Sequence, residues 1–247
     1  MLSKSKIKYL NSLKMGKYRT LHKRFFAEGN INVRDFIRNG LKPVELFATQ
    51  RWIERNKQEQ SVIKVEEVSL DDLKKITALK NPSEVYALFD MPQLPGLEMK
   101  DDDLILVLDN IKDPGNLGTI IRSADWFGLK NIVCSLRTVE VYNPKVVQAS
   151  MGSLARVNVY YLDLASWFSK LNPSTNIYGA VLDGENPDGL RGEKNGVLII
   201  GSEAKGISRE IMEYVKKPIS IRKSPASGAE SLNASIATAI LLYAFST

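Results

Sequence analysis

The stretch Leu104-Ile-Leu-Val-Leu-Asp-Asn-Ile-Lys-Asp-Pro-Gly-Asn-Leu-Gly-Thr-Ile-Ile-Arg-Ser-Ala-Asp-Trp-Phe-Gly128 decides the fold class. It opens with a near-continuous apolar run that ends in a carboxylate, the pattern of a strand buried on both faces. Asp113-Pro114-Gly115 reads as a turn, Asn116 is placed to cap a helix, and Gly128 can close it. Leu117, Ile120, Ile121, Ala124 and Phe127 recur at helical spacing and predict the buried stripe. Gly118, Arg122 and Asp125 fall on the opposite face.

The same alternation continues downstream. Strands are expected at residues 104–109, 131–136, 177–182, 197–201 and 218–221. Helices are expected at 117–127, 144–150, 164–171, 207–216 and 232–245. Apolar strands separated by helices predict an α/β domain whose parallel sheet is covered on both faces. In such sheets ligands bind beyond the carboxyl ends of the strands. The loops after Asp109, Gly201 and Ile221 are therefore the ones to read for chemistry.

Upstream, residues 91–103 break both periodicities and end in the run Lys100-Asp-Asp-Asp103, as a linker would. This predicts two domains, residues 1–95 and 104–247. In the first, apolar runs near 24–28, 43–49, 62–65 and 84–90 alternate with helical patterns at 4–15, 31–39, 50–57 and 70–77. That is a second, small α/β domain.

Charge separates the two parts. Residues 1–95 carry 18 Lys/Arg against 11 Asp/Glu, whereas residues 96–247 carry 16 against 17. Lys4, Lys6, Lys8, Lys14, Lys17, Arg19, Lys23 and Arg24 lie in residues 1–24, which contain no acid. A concentrated basic segment is the electrostatic footprint of phosphate-backbone binding, although a solvated helix face has the same composition.

Several classes of function are excluded. No apolar run reaches the roughly 18 residues of a membrane helix, and the basic start lacks an apolar signal core. The single cysteine, Cys134, lies in an apolar run, which fits a reducing cytoplasm and an inert thiol. One histidine, His22, in the basic segment rules against a Ser-His-Asp arrangement, and with one cysteine it cannot build a conventional zinc site. Neither a P-loop nor a dinucleotide fingerprint follows any strand, which speaks against a nucleotide-dependent oxidoreductase.

The three loops carry more. A glycine inside a helix costs about 1 kcal/mol relative to alanine, so Gly118 marks a close approach, either by a packed element or by a ligand that Arg122 would meet. Gly201-Ser-Glu-Ala-Lys-Gly206 combines two glycines, which let a backbone approach a ligand, with the carboxylate of Glu203. In Glu230-Ser-Leu-Asn-Ala-Ser-Ile-Ala237, Ser231 is a good N-cap and Asn233 lies in the first turn. Capping and substrate binding are compatible roles for this pair.

Together these three segments resemble the motifs of the SpoU (TrmH-like) RNA ribose 2'-O-methyltransferases of the SPOUT superfamily. Asn116, Gly118 and Arg122 match the first, residues 201–206 the second and residues 230–237 the third. Asn143-Pro-Lys-Val-Val-Gln-Ala-Ser-Met-Gly152 also resembles a family segment. The resemblance spans roughly residues 104–245. Lys4 to Arg24 followed by Phe25-Phe-Ala-Glu-Gly29 resembles the RNA substrate-binding domain often fused to this family. Ala234 stands where the family carries valine, and the loop 222–229 is longer than in close relatives.

The resemblance implies a C-terminal trefoil knot, a homodimer, and a pocket for S-adenosylmethionine made largely by backbone around Gly201, Ile221 and Leu232. It implies that Arg122 acts on the ribose hydroxyl with Asn116, Glu203, Ser231 and Asn233 around it. The expected partner is structured RNA, ribosomal or transfer, and no metal or membrane. Base methylation by a related enzyme and non-catalytic RNA binding are the competing readings.

Overall fold

The computed structural model describes residues 1–57, 64–99, 103–193 and 195–246. The chain divides into two compact units. One comprises Met1–Gln93 with Glu140–Ala155, the other Leu94–Val139 with Arg156–Thr247. Of the expected strand near 62–65, residues 62–63 lie outside the described residues, as does part of the expected linker at 100–102; residues 64–65 are not strand, and the strand in this region is Glu66–Glu67.

The first unit is built on strands β1 (Arg24–Glu28), β2 (Pro43–Ala48), β3 (Glu66–Glu67) and β4 (Val85–Asp90), in the order β1-β4-β2-β3. β4 runs antiparallel to both β1 and β2, and β2 runs parallel to β3. Alternate residues point to opposite faces of a strand, and here both faces are covered. Phe25, Ala27, Leu46, Ala48, Val85, Ala87 and Phe89 pack with Val33, Phe36 and Trp52 on one side. Phe26, Phe47, Tyr86 and Leu88 pack with Leu10, Leu13, Leu73 and Ile76 on the other. This explains why β4 is apolar nearly throughout although its neighbours are antiparallel.

Residues 140–155 complete this unit. Val147, in the helix Pro144–Ala149, joins the first face, and the Tyr142 ring lies 4.5 Å from that of Phe25. Arg19 is 2% exposed; its guanidinium donates to both carboxylate oxygens of Glu140 and, at 2.8 Å, to the Leu13 carbonyl. A buried guanidinium needs such partners, because an unpaired buried charge is strongly unfavourable.

The second unit holds strands β5 (Leu104–Leu108), β6 (Asn131–Ser135), β7 (Asn158–Leu162), β8 (Ile177–Glu185), β9 (Gly196–Ile200) and β10 (Lys217–Ile219). Their order is β10-β8-β9-β5-β6-β7, and among the described residues every pairing is parallel. The sheet is the α/β architecture that the alternation predicted. From β5 the chain builds outward through β6 and β7, then returns to the other side of β5 with β8, β9 and β10. The direction therefore reverses between β5 and β9, whose ends are in register at Leu108 and Ile200. That junction is the topological switch point where such sheets bind ligands.

Two elements go beyond the sequence pattern. β7 is an edge strand, half-buried at three of its five residues, so it lacks the continuous apolar signature. The helix Gly16–His22 lies inside the basic segment, where apolar periodicity is too sparse to reveal it.

Candidate active site

The site is assembled at the switch point, within the second unit. Asp109 directly follows β5 and is 2% exposed. Its backbone N–H donates to the Ile200 carbonyl at 2.9 Å. Its carboxylate accepts from the Ser208 N–H at 2.8 Å and from the Asn110 amide at 2.7 Å. Asp109 thus ties the end of β5 to the loop after β9. Asn110, at φ +60°, donates its N–H to the Ser135 hydroxyl at 2.9 Å and so joins β6 as well. Sequence reading marked Asp109 only as a strand end; the signal was a lone acid closing an otherwise apolar strand.

The helix Pro114–Trp126 follows. Its N-cap is Asp113, which accepts from the Asn116 N–H at 2.8 Å. This corrects the assignment of the cap to Asn116: proline at the first helical position fixes the start one turn earlier. The Asn116 side chain is thereby released. Its amide nitrogen donates to Glu203, and its amide oxygen accepts from Asn233 Nδ2 at 2.9 Å.

Asn233 is likewise the N-cap of the helix Ala234–Ser246, a role the sequence had given to Ser231. Its Oδ1 accepts from the Ser235 N–H at 2.9 Å and from the Ser235 hydroxyl at 2.7 Å. One polar residue from each of the three loops therefore meets at Asn116. Ser231 and Leu232 are exposed beside them, and no hydrogen bond places Ser231 in this network among the described residues. Arg122 is exposed, with no ion-pair partner among the described residues. Gly118 is buried four residues before it.

The loop after β9 is closed on itself. Ser202 N–H donates to the Gly206 carbonyl at 3.0 Å, and Gly206 N–H returns to the Ser202 carbonyl at 2.8 Å. A Cβ on Gly201 would fall inside the van der Waals envelope of the Gly206 carbonyl carbon and the Ile207 nitrogen. Glycine is therefore required there by close backbone approach. A cavity of about 600 Å³ opens at the ends of β8 and β10, lined by residues 182–186, 218 and 220–223. Ile221 lines it; Gly201 and Leu232 do not.

The eight cations of residues 1–24 separate into two groups in the first unit. Lys6 pairs with Glu45 at 2.6 Å, Lys14 donates to the Thr77 carbonyl at 2.6 Å, Arg19 is held by Glu140, and Arg24 pairs with Asp90 at 3.0 Å. Burial pulls the Lys14 ammonium below the usual lysine range. Lys4, Lys8, Lys17 and Lys23 are exposed and unpaired among the described residues. The groups that engage the first four, three acids and the Thr77 carbonyl, come from distant positions, so no local pattern could have separated them.

Cys134 is buried and its thiol is pushed up by burial. Among the described residues no group of His, Cys, Asp and Glu could hold a metal, and no helix is long and apolar enough to cross a membrane.

Residues 103–243 match the model of the SpoU rRNA Methylase family, and residues 4–87 match that of the MRM3-like substrate binding domain. The 23S rRNA (guanosine(2553)-2'-O)-methyltransferase of Bacillus subtilis is 30% identical over 178 residues, covering 71% of this chain and 70% of that protein. A TrmH-family structure from Porphyromonas gingivalis aligns with TM-score 0.83 at 35% identity, covering 99% of this chain and 98% of that one. An AdoMet-bound rRNA methyltransferase from Sinorhizobium meliloti aligns with TM-score 0.85 at 26% identity, covering 99% and 96%. A match to the family model across 103–243, over a parallel sheet whose switch point gathers the three motif loops, makes this chain a member of the SpoU rRNA methylase family.

Proposed function

We propose that the chain transfers a methyl group from S-adenosylmethionine to a ribose 2'-hydroxyl of structured RNA, ribosomal or transfer. The observation that carries this reading is the side-chain junction at Asn116, where Glu203 and Asn233 from two other loops meet at the switch point. The cofactor is supported by the AdoMet-bound relative and by the tight turn after β9, whose backbone packs so closely on Gly201 that no side chain is admitted there. Gly201, Ile221 and Leu232 are the positions proposed to hold it.

When bound, S-adenosylmethionine supplies an electrophilic methyl on a positively charged sulfur. The protein's task is to present an oxygen to that methyl at roughly 3–3.5 Å with correct alignment. Arg122 is the proposed catalytic residue. A guanidinium stays charged in proteins, so its role is to stabilise negative charge gathering on the 2'-oxygen and to grip the adjacent phosphate, while the hydroxyl proton passes to solvent at the exposed mouth and the neutral thioether of the spent cofactor is the leaving group. Asn116, fixed by Glu203 and Asn233, orients the nucleotide, while Glu203 retains acceptor capacity for a hydroxyl. Ser231 is exposed at the same mouth and completes the proposed set. The basic first unit, through Lys4, Lys8, Lys17 and Lys23, holds the RNA backbone.

Mapping ribose methylation across total RNA with and without the protein tests the reading. A sugar methyl that appears only with the protein is expected; a methyl on a base nitrogen, or none, overturns it.

A homodimer and a knotted C-terminal path belong to the same proposal, as does a cytoplasmic setting. The dimer is supported by the helix Ala234–Ser246, which buries Leu241, Leu242 and Phe245 yet leaves Ile236, Ile240 and Tyr243 40–57% exposed on one stripe. Unpartnered apolar stripes of this kind mark association surfaces. Ile236→Glu with Ile240→Glu is expected to turn a sedimenting dimer into a monomer. Wild-type protein that sediments as a monomer would sink the dimer.

A further inference from the structure

The first unit carries an aromatic cluster among its free cations. His22 is exposed at the end of the helix Gly16–His22. Tyr18, four residues earlier and so on the same helical face, lies nearly parallel to it at 6.4 Å between centroids and 13° between planes. Tyr9, from the helix Lys4–Ser12, meets the His22 ring edge-on at 5.2 Å. The cluster is braced from beneath: Arg24 Nη1 donates to the Tyr9 hydroxyl at 3.1 Å, and Arg24 is itself held by Asp90. The Lys17 ammonium sits 4.8 Å from the Tyr18 ring centre, and Lys23 follows His22 directly.

Rings of this kind are normally buried or spent in a core, as Phe25, Phe26 and Tyr86 are in the same unit. An exposed histidine ring stacked on a half-buried tyrosine, among lysines without ion-pair partners, has the composition of a surface that stacks nucleobases and neutralises their phosphates. A duplex hides its base faces and offers only phosphates and groove edges. Rings can be used only by bases that are unpaired.

We propose that Tyr18 and His22, braced by Tyr9, form a stacking platform for an unpaired base, and that Lys17 and Lys23 hold the phosphates on either side. The substrate region bound by the first unit is then a loop, bulge or single strand rather than a continuous helix. This deepens the RNA reading above and rests on it.

The test titrates the full-length protein with two RNAs of about 12 nucleotides, a length within the range that stacking surfaces cover. One is unpaired and carries a 2-aminopurine reporter; the other is a fully paired duplex. The unpaired RNA should bind more tightly at equal salt. Tyr18→Ala and His22→Ala should each weaken it by about five- to tenfold, while Tyr18→Phe and His22→Phe keep the affinity because they keep a ring. Lys17→Ala should weaken both RNAs and flatten the salt dependence. Thermal melts of every variant guard against simple unfolding. Equal affinity for the two RNAs, alanine variants that bind like wild type, or phenylalanine variants as weak as the alanine ones would each overturn the platform. Cofactor binding and ribose methylation by the wild-type chain are read separately. Their absence overturns the proposed function, whereas their presence with a failed titration overturns the platform alone.

Discussion

Arg122→Ala is expected to remove methyl transfer while leaving S-adenosylmethionine binding and thermal stability intact. The fold does not depend on the guanidinium: it is exposed, and among the described residues no acid pairs with it. The helix that carries it is held by Leu117, Ile120, Ile121 and Ala124 on its buried side. Alanine is also a better helix former than arginine, so the exposed replacement is close to neutral for stability. The loss should appear in turnover. Removing a single donor aimed at developing oxyanion charge typically costs roughly 10²–10³-fold in rate. Arg122→Lys keeps the charge but not the planar fork, so it should recover only part of the activity. Single-turnover methylation of RNA with radiolabelled cofactor, paired with calorimetric cofactor titration, separates the two effects. Unchanged turnover with intact binding would remove Arg122 from the mechanism.

The legible parts of this chain are those where one physical demand fixes the residue type. β5 and β9 are buried on both faces, so their apolar runs could hardly be anything else. Gly128, at φ +79°, closes the helix Pro114–Trp126 as its position suggested. Where two neighbouring residues could satisfy the same demand, sequence could not choose. Asp113 and Asn116 can both cap a helix, as can Ser231 and Asn233; the structure takes the first of one pair and the second of the other. The choice has chemical consequences, because the cap taken by Asp113 leaves Asn116 able to bind Glu203 and Asn233 at once. The division of the basic segment was out of reach for a different reason. Arg19 is neutralised by a residue 121 positions away, Glu140, which lies outside every strand and helix that the spacing predicts. Asp109 was legible as an oddity and not as a clamp, since its three partners come from the end of β9, the loop beyond it and the adjacent residue.

Gly201→Ala is expected to lose cofactor binding and a measurable share of stability, and the neighbouring glycine supplies its control. The added Cβ would overlap backbone atoms of Gly206 and Ile207, which cannot swing aside as a side chain could. The obstruction is also anchored on both sides. Gly206 is bonded twice to Ser202, Ile207 is buried in the core, and the Ser208 N–H is held by the Asp109 carboxylate. Relief requires the whole turn to move, and overpacking of this sort costs typically about 1–3 kcal/mol. For a chain of this size each kcal/mol lowers Tm by about 2–4 °C. A displaced turn would no longer offer its backbone to the cofactor, so affinity should fall at least about tenfold, the equivalent of roughly 1.4 kcal/mol. Gly206 is glycine for another reason: at φ +65° it needs left-handed backbone, and a Cβ there meets nothing within 4 Å. Gly206→Asn should therefore be mild, because asparagine tolerates that conformation. Calorimetric titration of both variants with S-adenosylmethionine decides the matter. Wild-type affinity in Gly201→Ala, alongside its lowered Tm, would mean that the turn is a structural clasp and that the cofactor binds elsewhere on the sheet.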